Sequence, residues 1–166
     1  MTTTTRRRTG PALWAVALIL ALAATTVAAT LGRTAWERTQ AGAARAEALA
    51  AGRQLAVNFV TLDASTFAAD TGRVVAGATG EFKEQYEGAL DELKPVVEGN
   101  KTVSTVERAE AAYVSGDSDS AVVLVGLVAP TTNTATEEPE KKTYRIRLDL
   151  EKAGDSWKVS SLDFVS

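Results

Sequence analysis

The hydrophobic pattern changes period at Asn100, and that change limits the fold more than any other feature of the chain. Before it, apolar residues recur every three or four positions, as on a helix face; after it, they alternate or run continuously, as in strands. Phe82, Tyr86, Leu90, Leu93 and Val97 make the clearest helical stripe. Thr79 stands where a cap belongs and Glu81 falls in the first turn, where the helix dipole favours an acid. Pro95 kinks or ends this helix and "EGN" closes it. Upstream, a proline-free helix runs from Arg33 to about Leu62, with Leu55, Phe59 and Leu62 at i, i+4 and i+7. "LDAST" then turns the chain into a short helix over 64–76, carrying Phe67 and Val74, with Gly77 as its C-cap.

Four strands are expected after Asn100. "KTVSTVERAEAAYV" reads as one long, bent strand and "SGDSDS" as a turn. "AVVLVGLVA" is a continuous apolar run, the pattern of a strand covered on both faces. "PTTNTATEEPEKK" reads as a polar hairpin loop. In "TYRIRLDLE", Tyr144, Ile146, Leu148 and Leu150 point one way and Arg145, Arg147 and Asp149 the other. "WKVSSLDFV" changes phase between Val159 and Leu162, so a bulge is expected near Ser160–Ser161. Helices first and hairpin-linked strands after make an α+β domain, with helices packed on a curved four-stranded antiparallel sheet.

From Ala12 to Leu31 about twenty residues pass without a charge, enough to cross a hydrocarbon core of roughly 30 Å as a helix. Arg6, Arg7 and Arg8 precede the run and put the N-terminus on the cytoplasmic side by the positive-inside rule. "VAA" at Val27 to Ala29 offers a signal-peptidase site, but the run exceeds the usual secretory core and helix continues beyond it. A retained anchor is therefore expected. The organisation is a cytoplasmic tail (1–10), a transmembrane helix (11–32), a helical stalk (33–48) and an extracytoplasmic α+β domain (49–166). In the stalk large apolar residues are sparse.

Cysteine and histidine are absent. Thiolate zinc sites, disulfides and cysteine nucleophiles are excluded, and so are the commonest general base and metal ligand. Of 18 basic residues three precede the apolar run, leaving 15 against 21 acids in the exported part. Nothing in that balance suggests nucleic-acid binding. No cofactor is expected.

Asp63, Asp70, Tyr86 and Tyr113 are the groups available for isomerase-type chemistry, a buried acid with a tyrosine donor. Three of them have a plainer reading: Asp63 as a cap, Asp70 opposite Phe67 and Val74, Tyr86 in a core stripe. No enzyme is expected. The alternating acids of "GDSDS" lack the downstream glutamate of a calcium loop. Phe82, Tyr86, Val123 and Ile146 are candidate lining for an apolar hollow between helices and sheet, although the plainer reading is that they fill it as core. Arg145 and Arg147 share a strand face that is either solvated or meets an acidic partner.

Together, "LAVNFVTLDAST", "GATGEFKEQYE", "VEGNKTVSTVERAEAAYVSGDSDSAVVLV" and "WKVSSLDFV" resemble the mammalian-cell-entry (Mce)-associated membrane proteins of actinobacteria across nearly the whole chain. The resemblance implies a nuclear transport factor 2-like cone, similar to the periplasmic domains of type IV secretion assembly proteins. It implies an accessory role beside multi-subunit importers of lipids or sterols, without catalytic residues. The expected partners are the membrane and Mce-type transporter subunits, with self-association as a further one. A lipid-binding carrier domain and a secretion-like assembly subunit are the alternatives.

Overall fold

The computed structural model describes residues 40–165, apart from the side chain of Glu137. The apolar run at 12–31 and Arg6, Arg7 and Arg8 lie outside the described residues. No helix among the described residues is long and apolar enough to cross a membrane.

Helix α1 covers residues 40–60. It is followed by β1 (Leu62–Asp63), α2 (Phe67–Gly77) and α3 (Gly80–Gly99), then β2 (Val103–Ser104), β3 (Arg108–Gly116), β4 (Ser120–Asn133), β5 (Thr136–Ala153) and β6 (Ser156–Phe164). Helices packed on a curled antiparallel sheet are what the change of period implies. The sheet, however, has six strands rather than four, in the order β1-β2-β4-β5-β6, with β3 also on β4. The difference has two origins. The expected long strand after Asn100 breaks at Thr105–Glu107, so β2 and β3 pair with separate stretches of β4. β1 comes from "LDAST": Leu62 faces Ser104 and Asp63 faces Val103.

The expected polar loop at 130–142 is mostly strand. Pro130 pairs with Lys141 and Thr131 with Glu140, and only Thr134–Ala135 turn the chain. Strand pairing is made by backbone groups, so polar side chains do not prevent it. Pro139 falls within the register irregularity between Thr131 and Asn133, where a missing N–H is tolerated.

One face of the sheet is the core. The inward row of β4 is Ala121, Val123, Val125, Leu127 and Ala129; that of β5 is Ile146, Leu148 and Leu150, all buried. The alternate residues of β4 face outward and Leu124 stays 39% exposed, so β4 is not covered on both faces as its continuous apolar run suggests.

Helix α1 closes the inner face. Its buried line runs through Ala44, Ala48, Gly52 and Ala56, beginning one turn before Leu49. Small residues at i, i+4 spacing leave no bulky ridge, so the backbone approaches the sheet closely. A Cβ on Gly52 would lie 3.3 Å from Val123 Cγ1 and 3.5 Å from Leu148 Cδ1. Arg53 Nε donates to Ala109 O at 3.1 Å, and the Arg45 guanidinium lies 4.7 Å from the Tyr113 ring centroid.

The α2–α3 junction differs from the expected one. Gly77 is the last residue of α2 and Ala78 caps it in extended backbone; the positive φ (56°) falls at Gly80. Gly77 is small for another reason, since a Cβ there would meet Leu55 Cδ1 at 2.8 Å. Thr79 N then donates to Val159 O at 2.8 Å, tying the junction to β6. α3 continues through Pro95 to Gly99. The bulge expected in β6 is present: Leu150 faces Val159 and Asp149 faces Ser161, leaving Ser160 as the extra residue.

Candidate functional site

The stripe of α3 is not core along its length. Val97 alone is buried on this helix, while Phe82, Tyr86, Leu90 and Leu93 are half-buried. Phe82 and Tyr86 lean instead on Phe59 at the end of α1, with ring centroids 6.3 and 5.8 Å away. Phe59 also meets Phe164 at 6.2 Å, and Phe164 meets Tyr144 at 6.2 Å. Five aromatic rings thus form a tilted chain, the geometry their quadrupoles favour.

Beside that chain the inner face opens into a hollow of about 240 Å³. Phe59 and Val60 of α1 and Leu62 of β1 contribute apolar wall, as do Tyr144 and Phe164 from the sheet. Thr102, Ser104, Thr131 and Lys142 contribute the polar remainder.

The four residues expected to line a hollow therefore separate. Phe82 and Tyr86 belong to the aromatic chain beside it. Val123 and Ile146 are fully buried in the packed core and do not line it. Sequence reasoning missed Phe59, Tyr144 and Phe164 as lining, although their phase on helix and strand is legible. Lys142 was hidden inside the charged run "TEEPEKK".

The acids and tyrosines have structural partners. Asp70 is 3% exposed, not on the open side of α2. Its Oδ2 accepts the backbone N–H of Asp63 at 2.8 Å and the Thr66 hydroxyl at 2.9 Å, and its Oδ1 pairs with the Arg73 guanidinium. Bonds from the Ser65 hydroxyl and N–H hold the Asp63 carboxyl below the usual range. Burial, and secondarily the Asp70 charge, pushes the Tyr86 phenol up to about 12. Tyr113 lies under Arg45. In "GDSDS", Asp117 Oδ1 accepts the N–H groups of Asp119 and Ser120 at 2.9 and 2.8 Å, which lowers its pKa and closes the turn. Among the described residues, no three acids converge as metal ligands.

The outer sheet face is the second feature. Val114, 54% exposed, and Leu124 lie there with Ala112. Beside them Gly126 stands between Glu110 on β3 and Arg145 on β5, directly across the strands. Because Gly126 has no side chain, the face is notched, with a depression of about 320 Å³ that Leu124 and Val165 also line. Arg147 is held by Asp149 at 3.0 Å, whereas Arg145 makes no ion pair among the described residues.

A curled antiparallel sheet closed by helices on its inner face is a nuclear transport factor 2-like fold. Solved structures agree on the fold. An IcmL-like type IV secretion system protein from Legionella pneumophila matches with a TM-score of 0.58 at 14% identity, over 73% of this chain and 91% of its own. An Ntf2-like protein involved in plasmid conjugation matches with a TM-score of 0.54 at 14% identity, over 74% of this chain and 49% of its own. Residues 11–166 match the family described as "Uncharacterized protein Rv1363c/MT1408-like", and the chain belongs to that family. The protein Rv1363c of Mycobacterium tuberculosis is 33% identical over 122 residues, which is 73% of this chain. The chain spans 47% of that relative's length.

Proposed function

We propose that this chain is a non-catalytic accessory subunit that assembles or stabilises a transport complex of the cell envelope. The N-terminal apolar run would hold it in the cytoplasmic membrane, with Arg6, Arg7 and Arg8 inside and the α+β domain outside. The particular complex we favour is an Mce-type importer of lipids or sterols, on the resemblance of the sequence motifs.

The observation that carries the reading is the outer sheet face. Leu124 and Val165 stand exposed there beside the depression of about 320 Å³ at Gly126, flanked by Glu110 and Arg145. Contiguous apolar surface rimmed by charge is what protein contact sites present. The engagement of Asp70 by three donors supports a structural role for that acid. The likeness to an IcmL-like secretion system protein favours a second reading, a secretion-type assembly subunit with the same architecture.

Purification of the tagged full-length chain from native membranes in mild detergent tests both. Transporter subunits recovered in fixed ratio support the importer reading. Secretion-channel subunits in their place select the second. Recovery of the chain as a lone monomer overturns both.

A further inference from the structure

The hollow beside the aromatic chain is polar at one end and apolar at the other, and the sheet register explains why. Across the sheet, Leu62 faces Ser104, Ser104 faces Thr131, and Thr131 faces Glu140. The next rows toward β6 place Ala129 opposite Lys142, then Leu127 opposite Tyr144, then Ile146 opposite Phe164. The floor therefore passes from two hydroxyls, through an ammonium, to two aromatic rings.

Lys142 is out of keeping with its row. It occupies the inward phase of β5, the phase of Tyr144, Ile146, Leu148 and Leu150, and it is half-buried. Among the described side chains no carboxylate lies within ion-pair distance of its ammonium; Lys141, on the opposite face, pairs with Glu107 at 2.8 Å. Glu140, next in the inward row, is exposed and makes no ion pair with it. The hydroxyls are underused as well. Ser104 and Thr131 are each 7% exposed, and Thr131 Oγ1 reaches Ser104 Oγ only at 3.3 Å and Ala129 O at 3.5 Å. Hydroxyl bonds ordinarily close to about 2.7–2.8 Å. A buried polar group normally has at least one partner, and these two hydroxyls meet that only through long bonds.

We propose that this hollow binds a small amphiphilic carboxylate. Its carboxylate would meet the Lys142 ammonium and the Ser104 and Thr131 hydroxyls, and its apolar body would lie against Phe59, Tyr144 and Phe164. An apolar cavity with a few convergent polar groups is the usual form of a small-molecule site. The volume sets the size, because about 240 Å³ is smaller than the roughly 300–1,000 Å³ of sites for drug-sized ligands. A ring or a short chain fits, not a whole lipid. The site is on the inner face, so it is independent of the outer-face contact proposed above and stands or falls separately.

The test is titration of the full-length chain in neutral-lipid nanodiscs with 3-phenylpropanoate, followed by NMR shifts of the Phe and Tyr rings. Saturable binding is expected, with 3-phenylpropanol at least tenfold weaker and 3-phenylpropylammonium not bound. Acetate, which has no apolar body, is expected not to saturate. Lys142→Gln should weaken the carboxylate at least fivefold without changing the melting temperature, and Lys142→Arg should restore most of the affinity. Absence of saturation with the carboxylate overturns the site. So does equal binding of acid and amine, binding of acetate as tight as that of the aryl acid, or indifference to Lys142→Gln.

Discussion

Asp70 Oδ2 accepts the backbone N–H of Asp63 at 2.8 Å, so a side chain on α2 holds the strand residue seven positions before it. The same oxygen takes the Thr66 hydroxyl, and Arg73 from the next helical turn neutralises the charge. A buried acid that fixes the α1–α2 corner is thus fully occupied. Replacement by Ala leaves the Asp63 N–H and the Thr66 hydroxyl without that acceptor, at a cost of about 2–3 kcal/mol. Asp70→Asn keeps one acceptor and costs about 1–2 kcal/mol. Arg73→Ala leaves the buried carboxylate its two hydrogen-bond donors but not its counter-charge, and because the guanidinium is half-exposed to water the cost is about 1 kcal/mol. Thermal melting of the three variants should follow that order. Equal melting of Asp70→Ala and wild type would refute the assignment.

The Tyr86 phenol, pushed up to about 12 by burial and by the Asp70 charge, makes stability depend on alkaline pH. Its folded value lies above the ordinary 10, so the folded state holds the proton more tightly than the unfolded chain. The contribution is complete below pH 10 and is lost as the pH rises through about 12. Tyr86→Phe should flatten the fall in melting temperature across that window. Asp70→Asn should bring the phenol's ultraviolet titration down part of the way, because it removes the lesser of the two causes. An unchanged titration in Asp70→Asn would show that burial acts alone.

Much of this fold is legible in the sequence, and the exceptions have specific causes. Periodicity reports where side chains point, so the stripes on α1 and α3, the alternation of β5 and the bulge at Ser160 can all be read directly. It does not report backbone pairing, so the extension of β4 and β5 through Pro130, Thr131 and Glu140 reads as a loop. Nor does it report how closely elements approach. Ala44 and Ala48 look like an exposed stalk because they are small, yet small size, there and at Gly52 and Ala56, is what lets α1 lie on the sheet. The hollow was half legible. Stepping back two residues from Tyr144 in the alternation of "TYRIRLDL" places Lys142 on the inner face, but its charged neighbours mask it. Val123 and Ile146 share that face, and sequence cannot tell which part of it α1 covers.

Leu124 and Leu127 lie three apart on β4 and face opposite ways, which separates contact from stability. Leu127 is 1% exposed in the core, and Leu127→Ala should cost about 2–5 kcal/mol through the cavity it leaves. Leu124→Lys changes an outer-face residue and should cost no more than about 1 kcal/mol, the span of strand propensities. If the outer face is the docking surface, Leu124→Lys should lose the co-purifying subunits at unchanged melting temperature. Leu127→Ala should lower the melting temperature first. Retention of partners by Leu124→Lys would move the contact elsewhere on the domain.

Gly52 supplies the sharpest test of how α1 packs. A glycine inside a helix ordinarily gives up about 1 kcal/mol relative to alanine, so an exposed Gly52 would be improved by substitution. Here the added carbon presses on Val123, which is fully buried in the core, while Leu148 lies at ordinary contact distance. Gly52→Ala places one carbon 3.3 Å from Val123 Cγ1, and the strain offsets the gain in propensity. Gly52→Val adds two more carbons to the same space and should destabilise by about 1–3 kcal/mol, the usual penalty for overpacking. Gly42 on the same helix has no atom within 4 Å of an added Cβ, so Gly42→Ala is the control and should be neutral or stabilising. A double variant, Gly52→Val with Val123→Ala, should recover part of the loss, because the second change removes the atoms that clash. Additive melting shifts in the double variant would mean that α1 tilts away from the sheet instead of pressing on Val123.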